Sequence, residues 1–391
     1  PGGMPSAAES VYEEGLKLSP VKVGENYRLK KDWVTFLQNS VREPKLQYGD
    51  MKVKLFVCRR IEERVREVCA SFSSDLVVGA LRKGLEDVRE EVKRRVNEWP
   101  DGKVRTVLFA DGTLRENCII KINLEMRKTG DKLTLDFRGS SPEFANRCNN
   151  TVEASLKGMI CQLFLTFLWP DLPRSQAAFA PIEVITDKKS ALSSSYSTPN
   201  AQSMMTFFPA FTCAQQAIAK MIFSNPYKHT KVVAPWYNMI STFIYGGITQ
   251  HGEMVGNLCA DLNGMAGGAR ADRYGEHSIA PIFASMADLA EQEVQEDEVP
   301  FLQITSKKLM KDNMSFGKYR GGMGYQMMTA MRGSPFWGFM VTCIGSKIPN
   351  TRGLFGGYAC PTYPLAKIRN VNVFEQFKKD PGSFTYDFAE M

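Results

Sequence analysis

Residues 245–277 read YGGITQHGEMVGNLCADLNGMAGGARADRYGEH, and eight of these residues are glycine. Glycine is used where φ must be positive or where two stretches of backbone approach each other closely. Ordering so flexible a segment costs conformational entropy, so its neighbours must hold it in place. We therefore expect the other elements of the fold to be arranged around this stretch.

Ionisable side chains are concentrated in the same stretch, which includes two of the chain's three histidines. Polar residues on loops that a rigid scaffold positions are frequently the ones that bind or transform a ligand. The candidate site residues are His251, Glu253, Asp261, Arg270, Asp272, Arg273 and His277. For each one taken singly, the alternative is a solvated loop charge or a hydrogen-bonded structural histidine.

Two long helices are predicted before this stretch. Apolar residues recur at spacings of three and four from Met51 to Phe72 and again from Val77 to Trp99. This spacing gives each helix one apolar stripe and a salt-rich opposite face. Because only a short Ser-Ser-Asp turn separates them, we predict an antiparallel helical hairpin. The charged face is interpreted as solvated surface, with a partner-protein contact as the alternative.

After Pro100 the apolar period changes from that of a helix to two, which predicts three antiparallel strands in residues 104–139. Residues 152–169 and 201–224 are apolar on nearly all sides, which is typical of buried helices. After the glycine-rich stretch, short strands and glycine turns predict a β-rich C-terminal part. The predicted fold is α+β, with a helical hairpin, antiparallel sheets and buried helices.

We divide the chain into three regions. Residues 1–100 hold the N-terminal loop and the helical hairpin, and residues 101–244 hold the antiparallel sheet with its buried helices. Residues 245–391 hold the glycine-rich site region and the β-rich C-terminal unit. The chain begins with Pro-Gly-Gly and has no initiator Met, so we expect it to be part of a longer polypeptide or one product of a split subunit.

Composition argues against several classes of function. The net charge is +7, but basic residues alternate with acidic ones and form no block, so nucleic-acid binding is not predicted. No run of about 18 apolar residues appears, so no membrane span is predicted. The nine cysteines form no CxxC pair, which favours free thiols in a reducing cytoplasm over a disulfide or zinc framework.

Few general motifs are present. The sequence has no GxxxxGK[ST] phosphate loop and no GxSxG nucleophile elbow. Residues 316–325, FGKYRGGMGY, contain four glycines together with Lys318 and Arg320. Backbone N–H groups and these two cations could steer an anion, although a tight β-turn is the simpler interpretation. The histidines lack HExxH or HxH spacing, so no metal ligand set is predicted.

Several collinear segments resemble a known family. They are YEEGLKLSPVKV, LDFRGSSPEFANRCNNT, GGARADRYGEH and GKYRGGMG, and they occur in this order along nearly the whole chain. Together they resemble the hydantoinase B / N-methylhydantoinase B family. Longer pieces, such as FGKYRGGMGYQMM and LFGGYACPTYPL, resemble most the C-terminal part of acetone-carboxylase-type alpha subunits within that family.

The resemblance implies a subunit of a cytoplasmic hetero-oligomer that uses ATP to carboxylate a ketone with bicarbonate, giving acetoacetate from acetone. It implies ATP and Mg on a hydantoinase-A-like ATPase partner, a small gamma-type subunit, and an N-terminal piece of the same subunit. It also implies a Mn site at which the ion would stabilise an enolate. The family's metal ligands lie before the Pro-Gly-Gly with which this chain begins, so none carries over to this sequence.

Two other functions stay open. One is that of a subunit of an ATP-dependent cyclic-amide hydrolase of the hydantoinase or oxoprolinase kind. The other is a non-catalytic scaffold subunit, which the lack of ligand-spaced histidines favours.

Overall fold

The computed structural model describes residues 5–41, 43–113, 115–235, 242–259, 266–278, 293, 296–297, 300–342, 345–362 and 365–383. The described helices are α1 (Lys31–Asn39), α2 (Pro44–Phe72), α3 (Ser74–Asn97), α4 (Glu153–Phe167), α5 (Met204–Phe223) and α6 (Val373–Lys379). The first six strands are β1 (Gly24–Glu25), β2 (Arg28–Leu29), β3 (Gly102–Asp111), β4 (Ile119–Thr129), β5 (Lys132–Asp136) and β6 (Ile182–Ile185). The remaining five are β7 (Thr242–Ile248), β8 (Met254–Cys259), β9 (Leu302–Leu309), β10 (Tyr325–Met331) and β11 (Phe336–Thr342).

A four-stranded sheet in the order β3-β4-β5-β6 forms the base of the main core. The predicted antiparallel pairing of β3, β4 and β5 is confirmed, and β6 adds to β5 in parallel. Gly130 adopts a φ of 58° in the β4–β5 turn, where a Cβ would be strained. Along β4, alternate side chains from Ile120 to Met126 are fully buried, as a period of two requires.

The two buried helices cover this sheet. Helix α5 packs on β3 and β4, and α4 packs on α5. Phe164 of α4 and Phe208 and Phe211 of α5 lie wholly inside the resulting cluster. Both helices were predicted from all-round apolar sequence, and both are confirmed.

The apolar stripes of α2 and α3 are only partly covered. The stripe of α3 is buried at Val88, Val92 and Val96, where the helix meets the core, yet Leu81 is 66% exposed. On α2, Ile61 is 58% exposed. The prediction of two consecutive amphipathic helices is confirmed, but over much of their length these stripes face outward and do not cover each other.

The C-terminal part is β-rich, as predicted. A three-stranded sheet has the order β11-β7-β8, with antiparallel neighbours, and β9 and β10 form a separate antiparallel pair. Tyr245, Phe301 and Leu302 form a small second core beneath these strands. The amphipathic pattern of residues 282–299 also predicts a helix that ends at Pro300, and this stretch lies mostly outside the described residues.

Asp111, at the end of β3, connects the first sheet to the C-terminal part. Its carboxylate accepts hydrogen bonds from the backbone N–H groups of Gly345 at 2.8 Å and Lys347 at 2.6 Å, and from Ser346 Oγ at 3.1 Å. Partial burial alone would raise the pKa of Asp111, but these donors hold the pKa below its usual value. The ionised carboxylate therefore fastens the loop 345–348 to the main sheet.

Candidate functional site

Two glycine-rich segments, residues 266–278 and 317–324, meet backbone to backbone. We call this contact the glycine junction. The N–H of Gly267 donates to the carbonyl of Glu276 at 2.9 Å, and the N–H of Gly322 donates to the carbonyl of Gly267 at 2.8 Å. The N–H of Gly275 donates to the carbonyl of Arg320 at 3.0 Å. The two segments that carried much of the family resemblance thus form one structural unit.

Glycine is required here by space. A Cβ on Gly322 would overlap the carbonyl oxygen of Glu276, and a Cβ on Gly268 would overlap that of Ala234. A Cβ on Gly267 would lie 2.7 Å from the Glu276 oxygen. This confirms, for this part of the stretch, that glycine is used for close approach of backbones.

The junction is also joined to the chain before β7. The N–H of Ala234 donates to the carbonyl of Ala269 at 2.8 Å, and the N–H of Ala271 donates to the carbonyl of Val232 at 3.1 Å. Residues 232–235 follow α5, so the main core supports the junction from one side. Such support supplies the external ordering that a glycine-rich segment needs.

Charged side chains lie on the outer side of the junction. Arg270 Nη2 donates to Glu276 Oε1 at 3.1 Å, and Arg273 lies 3.8 Å from the carboxylate of Asp272. All four side chains are partly exposed, so each pair contributes at most about 1 kcal/mol to stability. Arg270 Nε is buried and has no hydrogen-bond partner among the described residues.

His277 is attached to the other segment of the junction. The backbone N–H of Met323 donates to His277 Nδ1 at 2.9 Å. The N–H of Ser278 in turn donates to the carbonyl of Met323 at 3.0 Å. Ser278 has a φ of 44°, which is uncommon for a residue with a side chain and typical of a tightly constrained position.

Lys318 and Arg320 belong to the same unit. The Arg320 guanidinium lies 5.0 Å from the ring centre of Tyr274, and Lys318 Nζ lies 5.6 Å from that of Tyr319. The two tyrosine rings meet edge to face, with centroids 6.1 Å apart. These cation–π contacts hold two positive charges against tyrosine rings of the junction.

His251 and Glu253 lie elsewhere. They belong to the turn between β7 and β8, where Thr249 Oγ1 accepts their backbone N–H groups at 3.3 Å and 3.2 Å. The neighbouring Gln250 Nε2 donates to the carbonyl of Pro300 at 3.2 Å. The structure thus brings six of the nine candidates together at the junction and places these two at a separate turn. Asp261 lies outside the described residues.

Two features escaped the sequence analysis. The Tyr274–Arg320 stack joins residues far apart in the chain, so no local spacing could reveal it. Asn149 is 1% exposed, and neither side-chain amide atom has a hydrogen-bond partner among the described residues. The adjacent pair Asn149-Asn150 within the RCNNT motif was the available signal, since buried amides are costly unless they have a role.

An open apolar depression of about 440 Å³ lies between the N-terminal segment and the second sheet. Its lining comes from residues 5–7 and from β7 and β11, including Tyr245 and Phe339. The volume is in the range that small-molecule sites occupy. None of the nine candidate residues lines it.

The described residues contain no cluster of metal ligands, and their cysteines include thiols with a raised pKa. Over those residues, no three His, Cys, Asp or Glu side chains converge as metal ligands. Burial raises the pKa of Cys213 to about 12 and that of Cys360 to about 11, so neither is a thiolate at neutral pH. Over the same residues, no helix is both long and apolar enough to cross a bilayer.

Comparison with known proteins identifies the family. The Hydantoinase B/oxoprolinase family matches residues 1–382. The chain belongs to this family. Its segments 266–278 and 317–324, which form the glycine junction, lie within the matched range.

The chain is similar to individual members of the family. It is 29% identical over 379 residues to the acetophenone carboxylase delta subunit of Aromatoleum aromaticum, covering 96% of this chain and 55% of that one. It is 21% identical over 328 residues to a subunit of a putative D-/L-hydantoinase of Pseudomonas sp. strain NS671, covering 81% and 53%. Thus it spans about half the length of these relatives.

A solved structure shares the fold. The nucleotide-free structure of acetone carboxylase superimposes with a TM-score of 0.85 at 22% sequence identity. The match covers 93% of this chain and 49% of that chain. At this identity the likeness establishes the α+β fold, and the fold predicted from the sequence is confirmed.

Proposed function

We propose that this hydantoinase B family chain is a subunit of an ATP-dependent ketone carboxylase that uses bicarbonate, with acetone to acetoacetate as the expected reaction. The observation that carries the proposal is its similarity, over nearly its whole length, to an acetophenone carboxylase subunit. Likeness in fold to acetone carboxylase supports the same class. The chain spans about half the length of those proteins, and in this proposal the activity belongs to a larger assembly.

The charges at the glycine junction suit such a reaction. Bicarbonate, an enolate and a β-keto acid product all carry negative charge on oxygen. The junction has four cationic side chains, those of Arg270, Arg273, Lys318 and Arg320, against two carboxylates, those of Asp272 and Glu276. In this proposal the junction lines the path of anionic species, with Lys318 and Arg320 steering them. His251, Glu253 and Asp261 are assigned supporting or proton-transfer roles.

The expected Mn ion does not fit the described residues, since no convergent ligand set is present among them. We therefore assign the ion to another polypeptide, the N-terminal piece of the subunit, and derive no step through it. ATP and Mg are assigned to a hydantoinase-A-like ATPase partner, and a small gamma-type subunit would complete the assembly. These partners and a cytoplasmic location remain parts of the proposal.

The test is an assay of the complex that co-purifies with this chain. ATP hydrolysis should rise when acetone or acetophenone is added, and the rise should require bicarbonate. Isotopically labelled bicarbonate should enter a β-keto acid. Ketone-stimulated ATP hydrolysis that is independent of bicarbonate would overturn the proposal.

A second candidate is an ATP-dependent cyclic-amide hydrolase. The match to a hydantoinase subunit, with similar coverage of that relative, favours it. Under this alternative, a hydantoin or 5-oxoproline would stimulate ATP hydrolysis in the absence of bicarbonate, and ring opening would be detected directly.

A non-catalytic scaffold role is the third candidate, and the lack of a metal ligand set among the described residues favours it. Metal analysis of the complex, with and without the N-terminal piece, addresses this role. If substitutions at the glycine junction change turnover while the complex remains assembled, the scaffold role is excluded.

A further inference from the structure

Nδ1 has opposite hydrogen-bonding roles in two of the histidines: it accepts a hydrogen bond in one and donates a hydrogen bond in the other. The backbone N–H of Met323 donates to Nδ1 of His277 at 2.9 Å, and a backbone N–H can act only as a donor. His277 Nδ1 must therefore present its lone pair. In a neutral imidazole the proton then resides on Nε2.

His229 provides the contrast. Its Nδ1 lies 2.8 Å from the backbone carbonyl oxygen of Pro226, which can only accept. His229 therefore carries a proton on Nδ1. Nδ1 of His277 thus accepts a hydrogen bond from the backbone, and Nδ1 of His229 donates one.

The orientation of His277 is fixed from both sides. Ser278 donates to the Met323 carbonyl at 3.0 Å, so residues 277 and 278 bind both backbone polar groups of Met323. The adjoining residue of the second segment, Gly322, is hydrogen-bonded to Gly267 and has no space for a Cβ. A ring held this way cannot exchange tautomers without losing the Met323 bond.

The imidazole itself is exposed, so its Nε2–H is accessible to a ligand. The surrounding side chains of the junction carry an excess of positive charge, which attracts anions. An Nε2–H group can donate to an oxygen but cannot bind a metal ion or accept a proton while it carries its own proton. The geometry thus favours one role for His277 among those open to a histidine.

We infer that His277 is a neutral hydrogen-bond donor, acting through Nε2–H on an oxygen of a small carboxylate or bicarbonate bound at the glycine junction. The nature of the ligand rests on the proposed carboxylase function. The tautomer does not, because it follows from the contact with Met323 alone.

The tautomer is tested by NMR on the purified chain labelled with ¹⁵N in histidine. The chain has only three histidines, and the variants His229→Gln and His277→Gln assign their signals. His277 should show a pyridine-like Nδ1 and a protonated, pyrrole-like Nε2, and His229 should show the reverse. A protonated Nδ1 at His277 would overturn the inference and leave the carboxylase proposal untouched.

The ligand is tested by titrating the same sample with sodium bicarbonate and with sodium acetate, using sodium chloride at matched ionic strength as the control. Bicarbonate or acetate should shift the Nε2 and Nε2–H signals of His277, while those of His229 stay in place. If neither anion perturbs His277 beyond the chloride control, the donor role fails even when the tautomer is correct.

Two substitutions separate the two ring nitrogens. In His277→Asn, the side-chain oxygen can still accept from Met323 but the distal donor is lost. In His277→Gln, the amide nitrogen can reach the position of Nε2. Because a hydrogen bond to a charged group is removed, His277→Asn should weaken bicarbonate binding roughly 10- to 100-fold, and His277→Gln should weaken it less. Equal losses in both variants would indicate a merely structural role.

Discussion

Gly322 shows at the residue scale why the glycine junction tolerates no side chain. A Cβ there would overlap the carbonyl oxygen of Glu276, which is itself hydrogen-bonded to Gly267. Moving the Glu276 carbonyl away would break that bond, and moving Gly322 away would break the bond from its own N–H to the carbonyl of Gly267. We expect Gly322→Ala to destabilise the chain by about 1–3 kcal/mol, as overpacking of a close contact typically does. The free energy of unfolding in urea measures this effect.

Gly338 is the matched control for that substitution. It lies in β11, and a Cβ there meets no atom within 4 Å. Gly338→Ala should change stability by less than about 1 kcal/mol, and toward greater stability, because alanine costs less backbone entropy. If the two alanine variants were equally stable, the close approach at Gly322 would not be a real constraint.

The separation of the candidate residues leads to a second prediction at this scale. Arg273 lies at the glycine junction and His251 lies at the β7–β8 turn. If the junction lines the path of anions, Arg273→Ala in the intact complex should raise the KM for bicarbonate by roughly tenfold, the effect of losing one charge-assisted contact. His251→Ala should change turnover more than KM if it takes part in proton transfer.

The control for both is Glu90→Ala, on the exposed face of α3. It should leave the carboxylation kinetics as they are in the wild type. Carboxylation that is unchanged in both Arg273→Ala and His251→Ala would remove these two residues from the proposed site.

At the scale of elements, α3 presents one apolar stripe in two environments. Val92 is fully buried against the core, whereas Leu81 on the same face is 66% exposed. Val92→Ala should destabilise the isolated chain by about 1.5–3 kcal/mol, and Leu81→Ala by less than about 1 kcal/mol. Thermal unfolding of the two variants side by side provides the comparison. A large loss for Leu81→Ala would mean that the stripe is covered in solution.

The contact between β3 and the loop 345–348 depends on pH through Asp111. Its hydrogen-bond donors hold its pKa in the folded chain below the usual value of about 3.9. Its stabilising effect is therefore complete above that value and is lost as the pH falls through the lower, folded-state pKa. Asp111→Asn should cost about 1–3 kcal/mol at neutral pH.

The difference in stability between wild type and Asp111→Asn should shrink toward acid pH, and urea unfolding at pH 7 and at pH 3 measures it. Glu183→Gln, on β6, is the control, because that side chain is exposed and accepts a hydrogen bond from the Thr134 hydroxyl across the strand pair. A gap between wild type and Asp111→Asn that stays constant with pH would contradict the role of the ionised carboxylate.

At the scale of the whole molecule, the periodicity of apolar residues predicted the helices and strands better than it predicted which of them pack together. The period-two runs from Val104 to Asp136 identified β3, β4 and β5, and all-round apolar runs identified α4 and α5. The same periodicity identified the apolar stripes of α2 and α3. It could not predict what covers them, because an apolar stripe shows that a helix is amphipathic but does not show which element packs against it. The pairing of β11 with β7 joins distant segments, which local pattern does not encode.

For the candidate site, too, the sequence predicted some features and could not predict others. The density of glycine indicated either positive φ or close approach of backbones, and the junction shows the close approach at Gly267, Gly268 and Gly322. The sequence did not predict that residues 266–278 meet residues 317–324. The prediction could not separate the junction from the β7–β8 turn, since His251 and His277 lie in one continuous run of sequence. Roles for individual residues depend on contacts such as Met323 with His277, and these exist only once the two segments are folded together.

We propose that this hydantoinase B family chain works in ATP-dependent carboxylation. The most direct measurement is the incorporation of labelled bicarbonate by the co-purified complex, with ATP and with acetone or acetophenone. A labelled β-keto acid should form, and its formation should require both ATP and the ketone. ATP-dependent opening of a hydantoin or 5-oxoproline ring by the same complex, with no label fixed from bicarbonate, would contradict the proposal.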